Sequence, residues 1–198
     1  MSRFGLEPAP AGLRLAQDLV NTSLSARQGT ENDQLADLGA ATAWWGEALA
    51  AWSAASGRRA PELTLRKRDL APLRVLREQF RQGLRANAAH VDPVEPVEPG
   101  DVVSAGVQLS LHANGHVGYR PLEDGWRGVA ALLSIELLLA DATGSLSRLK
   151  TCAAPVCGAC FYDGSPNRAR VWHNTKMCGN VPNLRASRAR RKSLGQNT

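Results

Sequence analysis

The chain has 198 residues, 43% of them hydrophobic and 21% charged, a balance typical of a soluble globular protein with a sizeable core. No stretch approaches the roughly 20 apolar residues that a membrane helix needs, and no apolar signal-peptide core follows the first residues. We therefore expect a cytoplasmic protein with no membrane partner. Residues 1–147 carry 14 Lys and Arg against 17 Asp and Glu, whereas residues 148–198 carry 10 against 1. This asymmetry predicts a polyanionic partner for the basic end, unless that end is only a solvated tail.

The first part of the chain is predicted to be helical. Residues 13–24 place apolar side chains near helical spacing, although their β-branched residues leave a strand open. In residues 40–56, Trp45, Leu49 and Trp52 lie three to four residues apart, which indicates a helix with a buried aromatic stripe. Residues 67–89 also have helical periodicity. Because Pro72 is tolerated only in a first turn, this helix should begin near residue 70.

Later residues predict a hairpin and a further helix. Two alternating stretches flank Asn114 and Gly115, a dipeptide that accepts positive φ at both central positions of a type I′ turn, so a β-hairpin is expected. Residues 128–142 are apolar nearly all round and should form a central buried helix. Gly144 and Ser145 mark a hinge into the basic region. No nucleophile and base pairing or glycine-rich phosphate loop stands out, so we expect no enzymatic activity.

All four cysteines lie within 27 residues: Cys152, Cys157, Cys160 and Cys178. In a reducing compartment such a cluster favours metal binding over disulfides. The first three cysteines have the spacing C-x4-C-x2-C. With Cys178 they could hold a plant-type [2Fe-2S] cluster, which would make the chain a redox protein. That ligand set usually has a longer separation before its last cysteine, and electron transfer gives no reason for so basic an end.

A zinc site is the alternative that the spacing favours. Cys152-x4-Cys157 and His173-x4-Cys178 form two close pairs, as in structural tetrahedral sites, which are closed and leave no open position for catalysis. Cys160 is then surplus and suits a small buried apolar position, with its replacement of His173 as a ligand left open. About 51 residues can hardly build an independent core, so the metal should supply most of the folding free energy of this part.

Basic residues surround and follow the predicted metal ligands. Phosphate oxygens are their natural counterpart, in DNA or alternatively in RNA. Those around the ligands are Arg168, Arg170 and Lys176, and those on a predicted C-terminal basic helix are Arg185, Arg188, Arg190, Arg191 and Lys192. Tyr162 and Trp172 could stack on bases, but for Trp172 packing against the metal knuckles is the favoured interpretation.

Two sets of motifs carry a family resemblance. The first comprises Cys152-x4-Cys157-Gly158, Phe161-Tyr162-Asp163, Ser165-x-Asn167-Arg168, Trp172 and Cys178-Gly179-Asn180, and it resembles the CGNR zinc-finger family of bacterial proteins. The second comprises LAQDLVNT at residues 15–22, Asp69-Leu70 and Leu76-Arg77-Glu78, and it is similar to the ABATE domain that precedes that finger. This chain departs from the family pattern in His173, where the family usually has cysteine, and in Val181, which replaces the final arginine of the signature.

The resemblance implies a stress-induced transcription regulator with two domains. Residues 1–147 would form a helical domain that senses an unidentified small molecule. Residues 148–198 would form a treble-clef-like or knuckle-type zinc module that ends in a basic helix and binds DNA, with Asn180 among its contacts. By the same analogy, Asp18, Asn21 and Thr22 are candidates for the ligand pocket, local capping hydrogen bonds being the alternative. The oligomeric state stays open, a homodimer being one option.

Overall fold

The computed structural model describes residues 6–23, 33–89, 103–154 and 157–179. The helices in this part of the chain are α1 (Leu13–Val20), α2 (Leu38–Ser56), α3 (Leu70–Ala89) and α4 (Gly125–Ala142), and the strands are β1 (Val107–Leu111), β2 (Val117–Pro121), β3 (Leu149–Thr151) and β4 (Cys160–Tyr162). Shorter helical turns occupy Lys67–Asp69, Leu146–Arg148 and Thr175–Gly179. The prediction of a mainly helical chain with a small hairpin is confirmed. Among the described residues, no helix has the length and apolarity needed to cross a membrane.

Helix α1 lies at the centre of the helical body, by which we mean the described residues up to 147. It packs against α2, α3 and α4, and Leu15, Leu19 and Val20 have no exposed surface. The helix confirms the helical alternative for this segment, but it ends at Val20 rather than at residue 24. The carbonyl group of its last residue, Val20, accepts a hydrogen bond from Arg81 Nη2 of α3 at 2.7 Å.

Helices α2 and α3 confirm the sequence predictions closely. Asp37 Oδ1 accepts a hydrogen bond from the Ala40 amide and caps α2, whose residues Trp45 and Trp52 are buried in the core. Helix α3 begins at Leu70 after a short turn, so Pro72 lies in its first turn, where its missing amide hydrogen costs nothing.

The hairpin and α4 differ in detail from their predictions. Strands β1 and β2 pair antiparallel, but positive φ occurs at Gly115 and not at Asn114, so the turn is not type I′. The Gly115 amide instead donates to the His112 carbonyl at 2.9 Å, as in a type I turn followed by a glycine bulge. Helix α4 begins before residue 128, and it is not buried all round, because Leu138 is 62% exposed.

A buried carboxylate ties the elements of the helical body together. Glu136 of α4 is 4% exposed, and its Oε1 accepts hydrogen bonds from Trp52 Nε1 of α2 at 2.7 Å and from the Tyr119 hydroxyl of β2. Its Oε2 lies against Gly12, just before α1, where an added Cβ would stand 1.6 Å from that oxygen. The start of α1 therefore requires glycine, because any larger residue would displace Glu136 from its two donors.

Candidate metal centre

The second sheet belongs to the cysteine module, by which we mean residues 148–154 and 157–179. Strands β3 and β4 pair antiparallel, with Leu149 opposite Tyr162 and Thr151 opposite Cys160. Beyond the sheet, the Cys152 amide donates to the Ala159 carbonyl at 2.8 Å and the Ala153 amide to the Val171 carbonyl at 2.9 Å. These bonds bring the segment that carries Cys152 next to the segment that leads into His173.

Four donor atoms converge where these segments meet. The ligand atoms of Cys152, Cys157, His173 and Cys178 all lie within 4.8 Å of one another. His173 Nδ1 is 3.3 Å from the sulfur of Cys157 and 3.7 Å from that of Cys178. Tetrahedral zinc bonds of about 2.3 Å to sulfur and about 2.0 Å to nitrogen imply ligand atoms roughly 3.5–3.8 Å apart. The donor set therefore fits a zinc ion in both chemistry and spacing.

Thiol electrostatics at the cluster also suit a cation. The hydrogen bond from Cys157, opposed by burial and assisted by His173, lowers the pKa of Cys152, while the bond to Cys152 and burial raise the pKa of Cys157. A bound dication would displace the thiol protons, because metal ligands bind as thiolates. All four cysteines are free of disulfides.

Cys160 lies outside this cluster. Its side chain has no exposed surface and packs in the core of the helical body, where burial raises the pKa of its thiol. The interpretation of Cys160 as a small buried apolar group is therefore the one that the structure supports. The structure does not bring together the four-cysteine set that a plant-type [2Fe-2S] cluster would need.

A buried ion pair organises the loop between the two ligand pairs. Asp163, which has no exposed surface, accepts hydrogen bonds from Lys150 Nζ at 2.9 Å, from the Ser165 amide and hydroxyl, and from the Arg170 amide at 2.9 Å. Burial opposes ionisation, but these donors hold the pKa of Asp163 well below its usual range. Lys150 Nζ also donates to the carbonyl groups of Arg168 and Arg170. The pair therefore fixes the backbone that carries two of the predicted nucleic-acid contacts.

The predicted nucleic-acid contacts fall into two groups. Arg168, Arg170 and Lys176 are exposed beside the cluster. Arg170 is also part of the module's own structure, because its guanidinium lies 5.3 Å from the centre of the Phe161 ring and donates to the His173 carbonyl at 2.7 Å. The remaining candidates lie outside the described residues: Asn180, Arg185, Arg188, Arg190, Arg191 and Lys192. The predicted C-terminal basic helix falls there too.

The two aromatic candidates pack within the protein. Trp172 is partly buried against the small core that contains Cys152 and Phe161, and an added Cβ at Gly179 would lie 3.0 Å from its ring. This confirms the packing interpretation of Trp172. Tyr162 packs against the core of the helical body.

A two-way amide contact joins the cysteine module to the helical body. Asn21 Nδ2 donates to the Cys160 carbonyl at 2.9 Å, and Asn21 Oδ1 accepts from the Cys160 amide at 2.8 Å. The side chain thus binds the edge of β4 as a neighbouring strand would. Asn21 is 2% exposed, so its side chain supplies the hydrogen-bond partners that the buried Cys160 backbone groups would otherwise lack.

The other two candidates for the ligand pocket also have protein partners. Thr22 Oγ1 donates to the Leu19 carbonyl at 2.7 Å, and Asp18 pairs with Arg14 at 2.6 Å, although burial raises the pKa of Asp18. Asp18 and Asn21 do line a cavity, but its volume is about 90 Å³. Sites for drug-sized molecules are several times larger, roughly 300–1,000 Å³.

Sequence reasoning missed several residues that build the site. Gln17 is fully buried and its amide bridges the Ala9 amide and the Glu7 carbonyl. Arg77 Nη1 donates to Thr22 Oγ1 and pairs with Asp33 at 2.7 Å, and this holds the pKa of Asp33 below its usual range despite burial. Polar residues in an otherwise apolar helical segment were the available signal. Their partners lie too far along the chain for spacing to identify.

Comparison with known families matches both parts of the chain. Residues 13–146 match the ABATE model, described as "Putative stress-induced transcription regulator", and residues 148–191 match the CGNR zinc finger. Both resemblances and their order are thereby confirmed. No curated protein matches the chain.

Proposed function

The chain belongs to the ABATE family and carries a CGNR zinc finger after that domain, and from this premise we propose that it regulates transcription by binding DNA through a zinc-stabilised module. The observation that carries the proposal is the convergence of three thiols and one imidazole beside exposed basic residues. In this proposal Cys152, Cys157, His173 and Cys178 hold the zinc ion. Bound zinc would supply a cross-link between the two ligand pairs and no catalysis, because four protein ligands leave no open position.

Charge supports a polyanionic partner for the module. Residues 148–198 carry 10 Lys and Arg against a single acidic residue, Asp163, and Asp163 is already paired with Lys150. The remaining basic side chains face no acidic residue of their own segment, so phosphate groups are the partner that their charge favours. The acidic body would keep nucleic acid away from the rest of the molecule.

The test is the salt dependence of binding to duplex DNA by the zinc-loaded full chain. Each neutralised phosphate contributes a slope of about −0.9 in a plot of log K against log salt. Replacing Arg188, Arg190 and Arg191 together with Gln should weaken binding and reduce the slope by about 2 to 3. A matched control replaces Arg59, Lys67 and Arg68, three exposed basic residues of the body, with Gln and should leave the slope unchanged. An affinity that does not respond to salt would refute the proposal.

RNA is the alternative partner for the same basic surface. Competition between duplex DNA and RNA of equal length, with labelled DNA already bound, separates the two. We expect duplex DNA to compete better, and stronger competition by RNA would redirect the proposal to RNA binding.

The helical body is proposed to sense a small molecule. Support comes from the direct contact between the body and the module, because Asn21 of the body binds the Cys160 backbone. Within the module, Arg148 Nη1 donates to the Asp163 and Ser165 carbonyl groups. A change in the body would therefore reach the loop that carries Arg168 and Arg170 through hydrogen bonds rather than through a free linker.

A further inference from the structure

A second, larger cavity lies between α3 and α4. Its volume is about 410 Å³, which is within the range of sites for small molecules. It is far larger than the cavity beside Asp18. None of the pocket candidates Asp18, Asn21 and Thr22 lines it. The residues that line it are Leu76, Gln79, Phe80, Gly83, Leu84, Val103, Ser134, Leu137 and Leu146.

The lining defines the chemistry of a ligand. Most of the side chains are apolar and none is charged, so a charged molecule would lose its hydration without compensation. Gln79 Oε1 is buried and has no hydrogen-bond partner among the described residues. A buried acceptor without a partner is unfavourable, and because Gln79 lines the cavity, rotation of its amide would let a donor on a ligand satisfy it.

We propose that this cavity binds a small, uncharged, mainly apolar molecule that donates one N–H or O–H hydrogen bond to Gln79. The inference rests on the sensing role in the proposed function and gives that role a site and a class of ligand. The apolar part of the molecule lies against Phe80 and Leu137, whose partly exposed surfaces it removes from water.

The cavity adjoins the segment that enters the cysteine module. Leu146 lines the cavity and begins the turn Leu146–Arg148, which leads directly into β3. At the other end of that turn, the Arg148 carbonyl accepts from the Asp163 amide at 2.7 Å. A bound molecule therefore contacts Leu146, two positions from Arg148, which holds the Asp163 loop. This connection gives ligand binding a route by which to change DNA affinity.

Two probes test the hydrogen bond on the zinc-loaded full chain. 1-Naphthol carries an O–H donor, whereas 1-methoxynaphthalene has nearly the same apolar surface and no donor. Fluorescence titration should show 1-naphthol binding roughly tenfold more tightly, and Gln79→Leu should remove that preference. Failure of 1-naphthol to bind, as expected if a polypeptide segment fills the cavity, would overturn the proposal, as would a preference that survives in Gln79→Leu.

A pair of glycine variants tests the location. Gly83 lines the cavity and a Cβ added there meets nothing within 4 Å, so Gly83→Leu should place a side chain in the cavity and has better helix propensity. Gly46 of α2 is equally open and lies outside the cavity, so Gly46→Leu is the matched control. Gly83→Leu should weaken 1-naphthol binding at least about tenfold and Gly46→Leu should not. Equal binding by both variants would place the probe elsewhere and overturn the proposal.

These outcomes are separable from the failure of DNA binding. The probe titrations contain no DNA, so their results do not depend on whether the chain binds DNA. A chain that binds 1-naphthol at this cavity but no DNA would retain the ligand site and refute only the proposed DNA-binding function.

Discussion

The helical body and the cysteine module are stabilised by different interactions. The body buries large side chains completely, among them Trp52, Leu15 and Leu73, and burial of one such side chain contributes roughly 1.5–3 kcal/mol relative to exposure. The buried part of the module's small core consists of Cys152, Ala159 and Phe161, with Leu6 of the body packed against them, and the cysteine and alanine side chains are small. Such a core cannot offset the conformational entropy lost on folding, so the module must depend on its metal ligands and its buried ion pair.

The comparison also shows how a weakly stabilised part can be held in a defined place. Strand β4 lies between the two regions: Phe161 packs in the module, while the preceding Cys160 packs in the core of the body. Alternation along a strand sends neighbouring side chains to opposite faces, so one short strand serves both cores. The body thereby orients the module without contributing a metal ligand.

Removal of the metal should separate the two regions most clearly. Treatment of the zinc-loaded chain with excess chelator should expose the amides of Cys152 and Ala153 to hydrogen exchange, because apparent zinc binding energies of about 10–16 kcal/mol are coupled to folding of such modules. The amides of α2 should keep their protection, since that helix packs in the body. Equal loss of protection in both regions would contradict the division.

Asp163→Asn should give the next largest effect. The substitution leaves buried Lys150 without its anionic partner and should lower the free energy of unfolding by about 3–5 kcal/mol in urea denaturation. Asp124→Asn is the control, because its pair with Arg66 is exposed and should contribute at most about 1 kcal/mol.

The same residue predicts a dependence on pH. Because the folded-state pKa of Asp163 is lowered, its contribution is complete above the ordinary value of 3.8 and is lost as the pH falls through the folded-state value. Asp163→Asn should therefore lack that part of the acid destabilisation. If Asp163→Asn cost no more than Asp124→Asn, the ion pair would not stabilise the module.

The contact between the regions should be intermediate in strength. Asn21→Ala removes both bonds to Cys160 and leaves a buried amide and carbonyl unpaired, which should cost about 2–3 kcal/mol in the free energy of unfolding. The exposed Asn114, whose Oδ1 accepts from the His116 amide, provides the control: Asn114→Ala should cost less than about 1 kcal/mol. Equal effects of the two substitutions would show that Asn21 does not join the regions.

A polar contact within the body should matter least. Tyr119→Phe removes the hydrogen bond to Glu136 and should cost about 1 kcal/mol at neutral pH, because the surrounding apolar contacts remain. Burial and Glu136 raise the pKa of the Tyr119 phenol, so its contribution is full below the ordinary value of 10.0 and is lost above it. Urea denaturation from pH 8 to 11 should show a smaller decline for Tyr119→Phe, and identical slopes would contradict the assignment.

Local patterns in the sequence predicted much of this structure. Helical spacing identified α2 and α3, and the position of Pro72 identified the start of α3, because backbone constraints act over a few residues. The ligand spacing likewise identified the four residues that converge in the structure. In both cases the physical cause lies within the segment itself.

Contacts between distant segments could not be predicted in this way. Asn21 was considered for a ligand pocket, yet its partner Cys160 lies 139 residues away, and nothing in either segment specifies the other. The same limit applies to Leu138, whose apolar character suggested burial although no described element covers it. Tertiary packing decides such positions, and the larger cavity between α3 and α4 arises from it too.

The identity of the metal ligands is tested most directly by zinc content. Purified wild-type chain should contain about one zinc ion per molecule, as a single four-ligand site requires. We predict that Cys160→Ala retains this zinc, since Cys160 packs in the body, whereas His173→Ala loses it, since Nδ1 of His173 faces the sulfur atoms of Cys157 and Cys178. Retention of zinc by His173→Ala together with its loss from Cys160→Ala would contradict the account.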